Sequence, residues 1–235
     1  MNKSLYDQSY YDKHYLKRDN RLFLERYYNK KLLSIYLPKK KNAVILDSGC
    51  GTGRFCFLLS KLGYTNITGI DNSKIAIEVC NKHKSNIKFM FKNFVSTGFN
   101  NNTFDVIYSI DTIEHITMTT FLDFLKEANR ILALNGRLVI YTPNPNHLFE
   151  RMKKHNFILK QEDGHIDVKE VPRLEESLNK NGFRIEKIQF FESHIPVFNL
   201  IEKVFLNKIP LFRRRTAIVA VTSSPLEEGA SNGKN

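Results

Sequence analysis

The sequence predicts an α/β fold, with a mostly parallel sheet covered by helices on both faces. Two observations carry this. From Ala43 onward short apolar runs alternate with helical patterns, and the first run leads straight into a glycine-rich turn that opens a helix. Strands and helices alternating at this interval form crossover units, which put helices on both faces of a parallel sheet.

Each element has its own signal. Val44-Ile45-Leu46 reads as a buried strand, and Phe55-Cys56-Phe57-Leu58-Leu59 opens the helix after it. Ile67-Thr68-Gly69-Ile70 is the second strand, followed by Ser73 as N-cap of a helix running to about Lys82. Residues 87–91 and 104–110 are the third and fourth strands. A helix from about Thr119 to Leu134 comes next, with Asn135-Gly136 as its expected C-terminal stop. Arg137-Leu138-Val139-Ile140-Tyr141 is the fifth strand, closed by Thr142-Pro143-Asn144-Pro145. Val171 to Asn181 reads as a helix ended by Gly182, residues 183–188 as a strand, and residues 217–221 as the last strand. A helical insertion is expected over 195–212. Two Tyr-rich helical patterns fill 1–42 as an N-terminal lid on a core of 43–222, and the polar tail 223–235 is expected to be disordered.

Composition narrows the class. With 235 residues and 42 % hydrophobic content the chain suits one large domain with small additions. No apolar run approaches the ~20 residues of a membrane span. The first residues lack the apolar centre of a secretory signal, so a cytosolic protein is expected. Three cysteines (Cys50, Cys56, Cys80) without a CxxC pair argue against a disulfide framework or structural zinc. The net charge of +12 lies mainly on flanking elements: residues 1–42 hold eleven Lys/Arg against four Asp/Glu, and 202–215 hold five against one. A basic surface attracts phosphates of nucleic acid, lipid or metabolite, or is simply a solvated face.

The loop Asp47-Ser48-Gly49-Cys50-Gly51-Thr52-Gly53 lies between strand and helix, where nucleotide-type ligands gather at strand carboxyl ends. Its glycine spacing departs from G-x-G-x-x-G, with Arg54 at the place of the third glycine, and no G-x-x-x-x-G-K-[ST] loop is present. Asp47 would repel a pyrophosphate but favour a ligand bearing an amino group and a sulfonium. Asp71, at the end of the second strand, can accept hydrogen bonds from both hydroxyls of a ribose.

These residues, together with Gly69-Ile70-Asp71, Phe104-Asp105-Val106-Ile107, Ile113-Glu114-His115-Ile116, Leu134-Asn135-Gly136-Arg137-Leu138 and Thr142-Pro143-Asn144, resemble the class I S-adenosylmethionine-dependent methyltransferases. The likeness is to their small-molecule group, including the ubiquinone-biosynthesis O-methyltransferases, and runs from about Tyr10 to Val221. It implies a three-layer, Rossmann-like αβα sandwich with seven strands, the last antiparallel. It also implies S-adenosyl-L-methionine as cofactor. Asp47, Gly49, Cys50, Gly51 and Gly53 would meet its amino-acid part, Asp71 its ribose, and Asn93 and Phe94 the adenine, with Asn72 and Ile110 as further cofactor contacts. Asn93-Phe94 stands where the family commonly has an Asp.

Methyl transfer is a direct displacement, which needs alignment and, for a hydroxyl acceptor, a base. His115 and His165 are the candidate bases, with a loop or capping histidine as the plainer reading. Asp111, Glu114 and His115 cluster oxygen and nitrogen donors on one turn, a candidate divalent-cation site for Mg²⁺. The ubiquinone-pathway and small-RNA 2′-O-methyltransferases carry Glu-x-x-Glu-His here with a metal; this chain has Asp111 first, and many small-molecule relatives carry a Glu-His pair with none. Tyr10, Tyr11 and Tyr15 fall on the segment that in relatives folds over the cofactor, and Asn144 is a candidate substrate contact.

In the insertion Phe198, Ile201, Val204 and Phe205 recur at helical spacing, and Arg213-Arg214-Arg215 follow. An apolar helix edged with basic residues suits an anionic membrane; a pocket cover or homodimer contact are the alternatives. The expected activity is methyl transfer to a hydroxyl or amine of a small molecule such as a quinone precursor, sugar or lipid-linked metabolite. An RNA 2′-O-methyltransferase and a non-catalytic cofactor-binding subunit are the rivals. No appended RNA-binding module is visible, and aromatics are not interleaved with the basic runs.

Overall fold

The computed structural model describes residues 22–154, 165–195 and 198–222. Along the chain run α1 (Leu22–Leu32), β1 (Val44–Ser48), α2 (Arg54–Lys61), β2 (Asn66–Asp71), α3 (Lys74–Asn81), β3 (Lys88–Phe91) and β4 (Phe104–Ile110). After a 3₁₀ turn at Ile113–His115 come α4 (Met118–Ile131), β5 (Leu132–Pro143), α5 (Leu148–Lys154), α6 (Val171–Lys180), β6 (Phe183–Phe191), α7 (Phe198–Phe205) and β7 (Arg215–Thr222).

Period-two alternation along the strands decides which layer each side chain serves. Ile45, Val106, Tyr108, Ile110, Val139, Tyr141, Ala217 and Val219 fall in one apolar cluster. Their neighbours Leu46, Ile107, Leu138, Ile140, Ile218 and Ala220 fall in another. The first cluster takes Leu32 of α1, Cys56 and Leu59 of α2 and Ile77 of α3. The second takes Phe121 and Leu125 of α4 and Leu174 and Leu178 of α6. The sheet is therefore the middle of three layers. Its central strands are buried on both faces, so they read as continuous apolar runs.

The strand order is β3-β2-β1-β4-β5-β7-β6. β1 pairs in parallel with β2 and β4, and β7 runs antiparallel to both β5 and β6. This is the expected seven-stranded sheet with its last strand antiparallel. The chain works outward from β1 to β3 and then returns to β4 beside β1. That reversal opens a crevice between the carboxyl ends of β1 and β4, where ligands of such sheets bind.

Ser73 caps α3 as expected, its side chain accepting from the Ala76 N–H. Asn135-Gly136 does not stop a helix. α4 ends at Ile131 because Asn102 N and Thr103 N donate to the Arg130 and Ile131 carbonyls, at 3.1 and 2.8 Å, and Leu132 pairs with Phe104. Asn135 takes a left-handed φ of 61° inside β5, where the register with β4 is irregular. α5 lies over Leu148–Lys154, where no helix is expected from the sequence. Tyr10, Tyr11, Tyr15 and the tail 223–235 lie outside the described residues. Among those described, no helix is long and apolar enough to cross a membrane.

Candidate active site

The loop after β1 bends through Gly49, Gly51 and Gly53 at φ 83°, 52° and 78°. Its start is fixed by the Gly49 and Cys50 N–H groups, which both donate to the Ile70 carbonyl at 2.9 Å. Gly49 also meets the turn after β4: a β-carbon there would lie 2.5 Å from Thr112 Oγ1. Gly53 fits beneath the loop, against Phe89 and Cys80.

Above the crevice is a cavity of about 300 Å³. Asp47, Gly49, Cys50 and Gly51 line one side, and Asp71 and Asn72 another. Asp47 is buried; its Oδ2 accepts from the Cys56 thiol at 3.2 Å, and Oδ1 has no hydrogen-bond partner among the described residues. Burial pushes its carboxyl up to about 7. A buried carboxylate oxygen without a partner is costly, and an ammonium group would both satisfy it and restore its charge. Asp71 accepts from Gly51 N and Ser73 N, each at 2.8 Å, through different oxygens. A carboxylate has about four acceptor positions, so Asp71 keeps capacity for a ribose hydroxyl. These residues fit the amino-acid and ribose parts of S-adenosylmethionine. Ile110 and Phe94 add apolar wall, Phe94 resting edge-on against Phe124 at 5.8 Å.

From the turn after β4, Asp111, Thr112, His115 and Ile116 also line the cavity. The His115 and His165 rings meet edge to face, 5.1 Å apart. Two contacts bring them together. Ile166 N and Asp167 N donate to the Glu114 carbonyl at 2.9 and 3.2 Å. The buried Lys169 ammonium donates to the carbonyls of Ile113 and Ile116, both at 2.7 Å, and of Asp167 at 3.0 Å. Those three bonds use all its donors. Glu114 is buried under the turn, accepting from Thr142 Oγ1 at 3.1 Å. Burial, with Asp111 nearby, pushes its carboxyl up to about 8.

The donor cluster differs from the expected Asp111, Glu114 and His115. Ligand atoms of Glu114, His115 and His165 lie within 4.8 Å of one another. Asp111 turns instead to the Tyr28 hydroxyl and the Arg215 guanidinium. Its left-handed φ of 49° and the Asp111 N to Tyr141 O bond of 2.8 Å aim it there.

Other expected contacts are placed elsewhere. Asn93 is exposed, outside the cavity lining, and its Oδ1 accepts from Val95 N at 3.1 Å. Asn144 is buried away from the cavity, bonded to Thr216 Oγ1 and Asn146 N at 3.0 Å each. Arg214 and Arg215 turn inward, onto Glu150 and Asp111. Sequence reasoning missed Tyr28, which lines the cavity with the Arg54 guanidinium 4.3 Å above its ring. The signal was present: Arg54 replaces the third glycine of the dinucleotide pattern, and α1 is rich in Tyr. It also missed Lys169 and Arg215, for which no local pattern exists.

Comparison with known proteins identifies the family and the fold. The family model described as "Methyltransferase domain" matches residues 15–188. The sterol 24-C-methyltransferase of Kluyveromyces lactis is 28 % identical over 161 residues, covering 62 % of this chain and 42 % of that protein. The ubiquinone biosynthesis O-methyltransferase of Pelagibacter ubique is 36 % identical over 107 residues, 44 % of this chain and 43 % of the relative. The aligned part thus spans less than half the length of either relative. Among solved structures, a SAM-dependent methyltransferase from Archaeoglobus fulgidus superposes with a TM-score of 0.69 at 21 % identity, over 91 % of this chain and 98 % of that one. With the family model covering most of the chain, and the glycine loop, Asp47 and Asp71 gathered on one cavity, the chain belongs to the methyltransferase-domain family, in its class I, S-adenosylmethionine-dependent form.

Proposed function

We propose that the protein transfers a methyl group from S-adenosylmethionine to a hydroxyl, or an amine, of a small-molecule acceptor. The observation that carries this is His115 on the wall of the cavity that Asp47 and Asp71 also line, with the His165 ring packed against it. When bound, S-adenosylmethionine supplies an electrophilic methyl carbon on its sulfonium. Asp47 would hold the ammonium group and Asp71 the ribose. His115 would take the proton from an acceptor hydroxyl as its oxygen attacks, with His165 packed behind it.

Glu114, His115 and His165 would also fit a divalent cation that polarises the acceptor oxygen. Two imidazoles and one carboxylate suit a borderline cation such as Zn²⁺ or Fe²⁺ better than Mg²⁺. The Glu114 carboxyl, held protonated by burial, would release its proton to solvent as such an ion binds.

Purified protein should be offered catechols, sugars and total RNA with S-adenosylmethionine, with EDTA or with each cation. Turnover on a small-molecule acceptor, lowered by about 10²-fold or more in His115→Ala or His165→Ala, is expected. Full turnover in both variants would remove the pair from the chemistry. Transfer to RNA alone would favour the rival substrate class, and indifference to EDTA would leave the histidines acting without a metal.

A further inference from the structure

The helical insertion carries a surface that the cavity does not use. On α7 and the turn after it, Leu200 is 62 % exposed, Ile201 45 %, Val204 68 %, Phe205 40 % and Ile209 39 %. None of these five side chains lines the cavity. The opposite side of α7 is fastened to the core by polar bonds. Glu202 is wholly buried, with Oε1 2.6 Å from His147 Nε2 and Oε2 accepting from Ser193 N at 2.5 Å. His147 Nδ1 accepts from Phe149 N, so its Nε2 carries the proton for Glu202. Phe198 stacks on Phe149, 5.2 Å between centroids, and Arg213 Nε donates to the Leu206 carbonyl at 2.7 Å. The apolar face is thus held outward by a buried hydrogen-bonded pair.

We infer that this face docks the protein on an anionic lipid bilayer. The charge pattern selects the occupant. Glu202 is the only acid between residues 194 and 213, and it is buried; Lys203 and Lys208 are exposed beside the apolar side chains. A second copy seated on this face would bring four lysines together with no acid to pair them. An anionic surface pairs them while the headgroup region takes up Leu200, Val204 and Phe205. Arg214 and Arg215 belong to the interior network, and Arg213 is tied back onto the Leu206 and Asn207 carbonyls, so Lys203 and Lys208 are the exposed ammonium groups beside the apolar side chains. Arg215, three residues beyond the turn that ends at Phe212, reaches Asp111 on the cavity wall. The docking face and the cavity are therefore joined by one short stretch of chain.

Co-sedimentation of the whole protein with phosphatidylglycerol or phosphatidylcholine vesicles tests this. Binding should favour the anionic vesicles and weaken as salt shortens the screening length towards about 8 Å. Lys203→Gln with Lys208→Gln should lower partition on anionic vesicles by on the order of 30-fold, at about 1 kcal/mol per lysine. Leu200→Ser with Val204→Ser should abolish binding. Both variants should keep the wild-type affinity for S-adenosylhomocysteine, which shows that they are folded. Three results would overturn the inference: no vesicle binding at low salt, equal binding to both lipids, or a light-scattering mass showing that Leu200→Ser with Val204→Ser turns a dimer into a monomer.

Discussion

Gly49→Ala should destabilise the protein by about 2–5 kcal/mol, in two separable parts. Gly49 sits at φ +83°, and a side chain in the left-handed region costs about 1–2 kcal/mol. The new β-carbon would also lie 2.5 Å from Thr112 Oγ1 and 3.0 Å from Thr112 Cβ, overpacking of a kind that costs about 1–3 kcal/mol. Thr112 cannot swing away freely, because Oγ1 donates to the Ile110 carbonyl at 3.0 Å. Thr112→Ala removes Oγ1 and Cγ2, the two shortest contacts, and leaves Cβ at 3.0 Å and the backbone strain in place. The double variant should therefore be more stable than the sum of the single changes by about 1–3 kcal/mol. Urea denaturation of the four proteins measures this, and calorimetry with S-adenosylhomocysteine reports on the loop. Additivity within about 0.5 kcal/mol would refute the clash. A single Gly49→Ala effect below about 1 kcal/mol would refute the strain as well. The pair matters for function because the turn that holds Thr112 also holds His115.

Asp71→Ala should weaken S-adenosylhomocysteine binding by about 1.5–3 kcal/mol, the value of hydrogen bonds to a charged group. Asp71→Asn should cost less, and unchanged affinity in folded Asp71→Ala protein would take Asp71 out of the ribose site. Asp47 and Glu114 both have raised pKa values, about 7 and about 8, so the folded chain keeps protons that the unfolded chain has lost. Their contribution to the stability of the ligand-free protein is full below about pH 4, and is lost as pH rises through those two values. If the cofactor's ammonium pairs with Asp47, binding near pH 6 releases a proton. The binding heat should then vary between buffers of different ionisation enthalpy, and identical heats would break that pairing. Lys169→Met should destabilise by at least about 1–3 kcal/mol, leaving buried carbonyls without a donor. It should also lower turnover more than cofactor affinity, since it loosens the segments that carry His115 and His165. Loss of affinity with turnover intact would contradict that role.

The sequence by itself determined the parts that rest on local physics. Apolar runs of strand length, helical patterns between them and the three glycines of the loop 49–53 specify a doubly covered sheet with a ligand loop after β1. Turn chemistry and side-chain periodicity act over a few residues and are visible one segment at a time. The Ser73 cap and the place of Asp71 at a strand end were legible for the same reason. The tertiary structure alone decided which residues share a site. His165 joins Glu114 and His115 only because Lys169 and the Glu114 carbonyl bind two segments some fifty residues apart in the chain. Asp111, beside those residues in sequence, is drawn to Tyr28 and Arg215, which lie 83 and 104 residues away. The run Arg213-Arg214-Arg215 reads as one basic edge in sequence, yet Arg214 and Arg215 turn inward because Glu150 and Asp111 wait there. A charge selects its partner by distance in the folded chain, and no spacing pattern in the sequence encodes that distance.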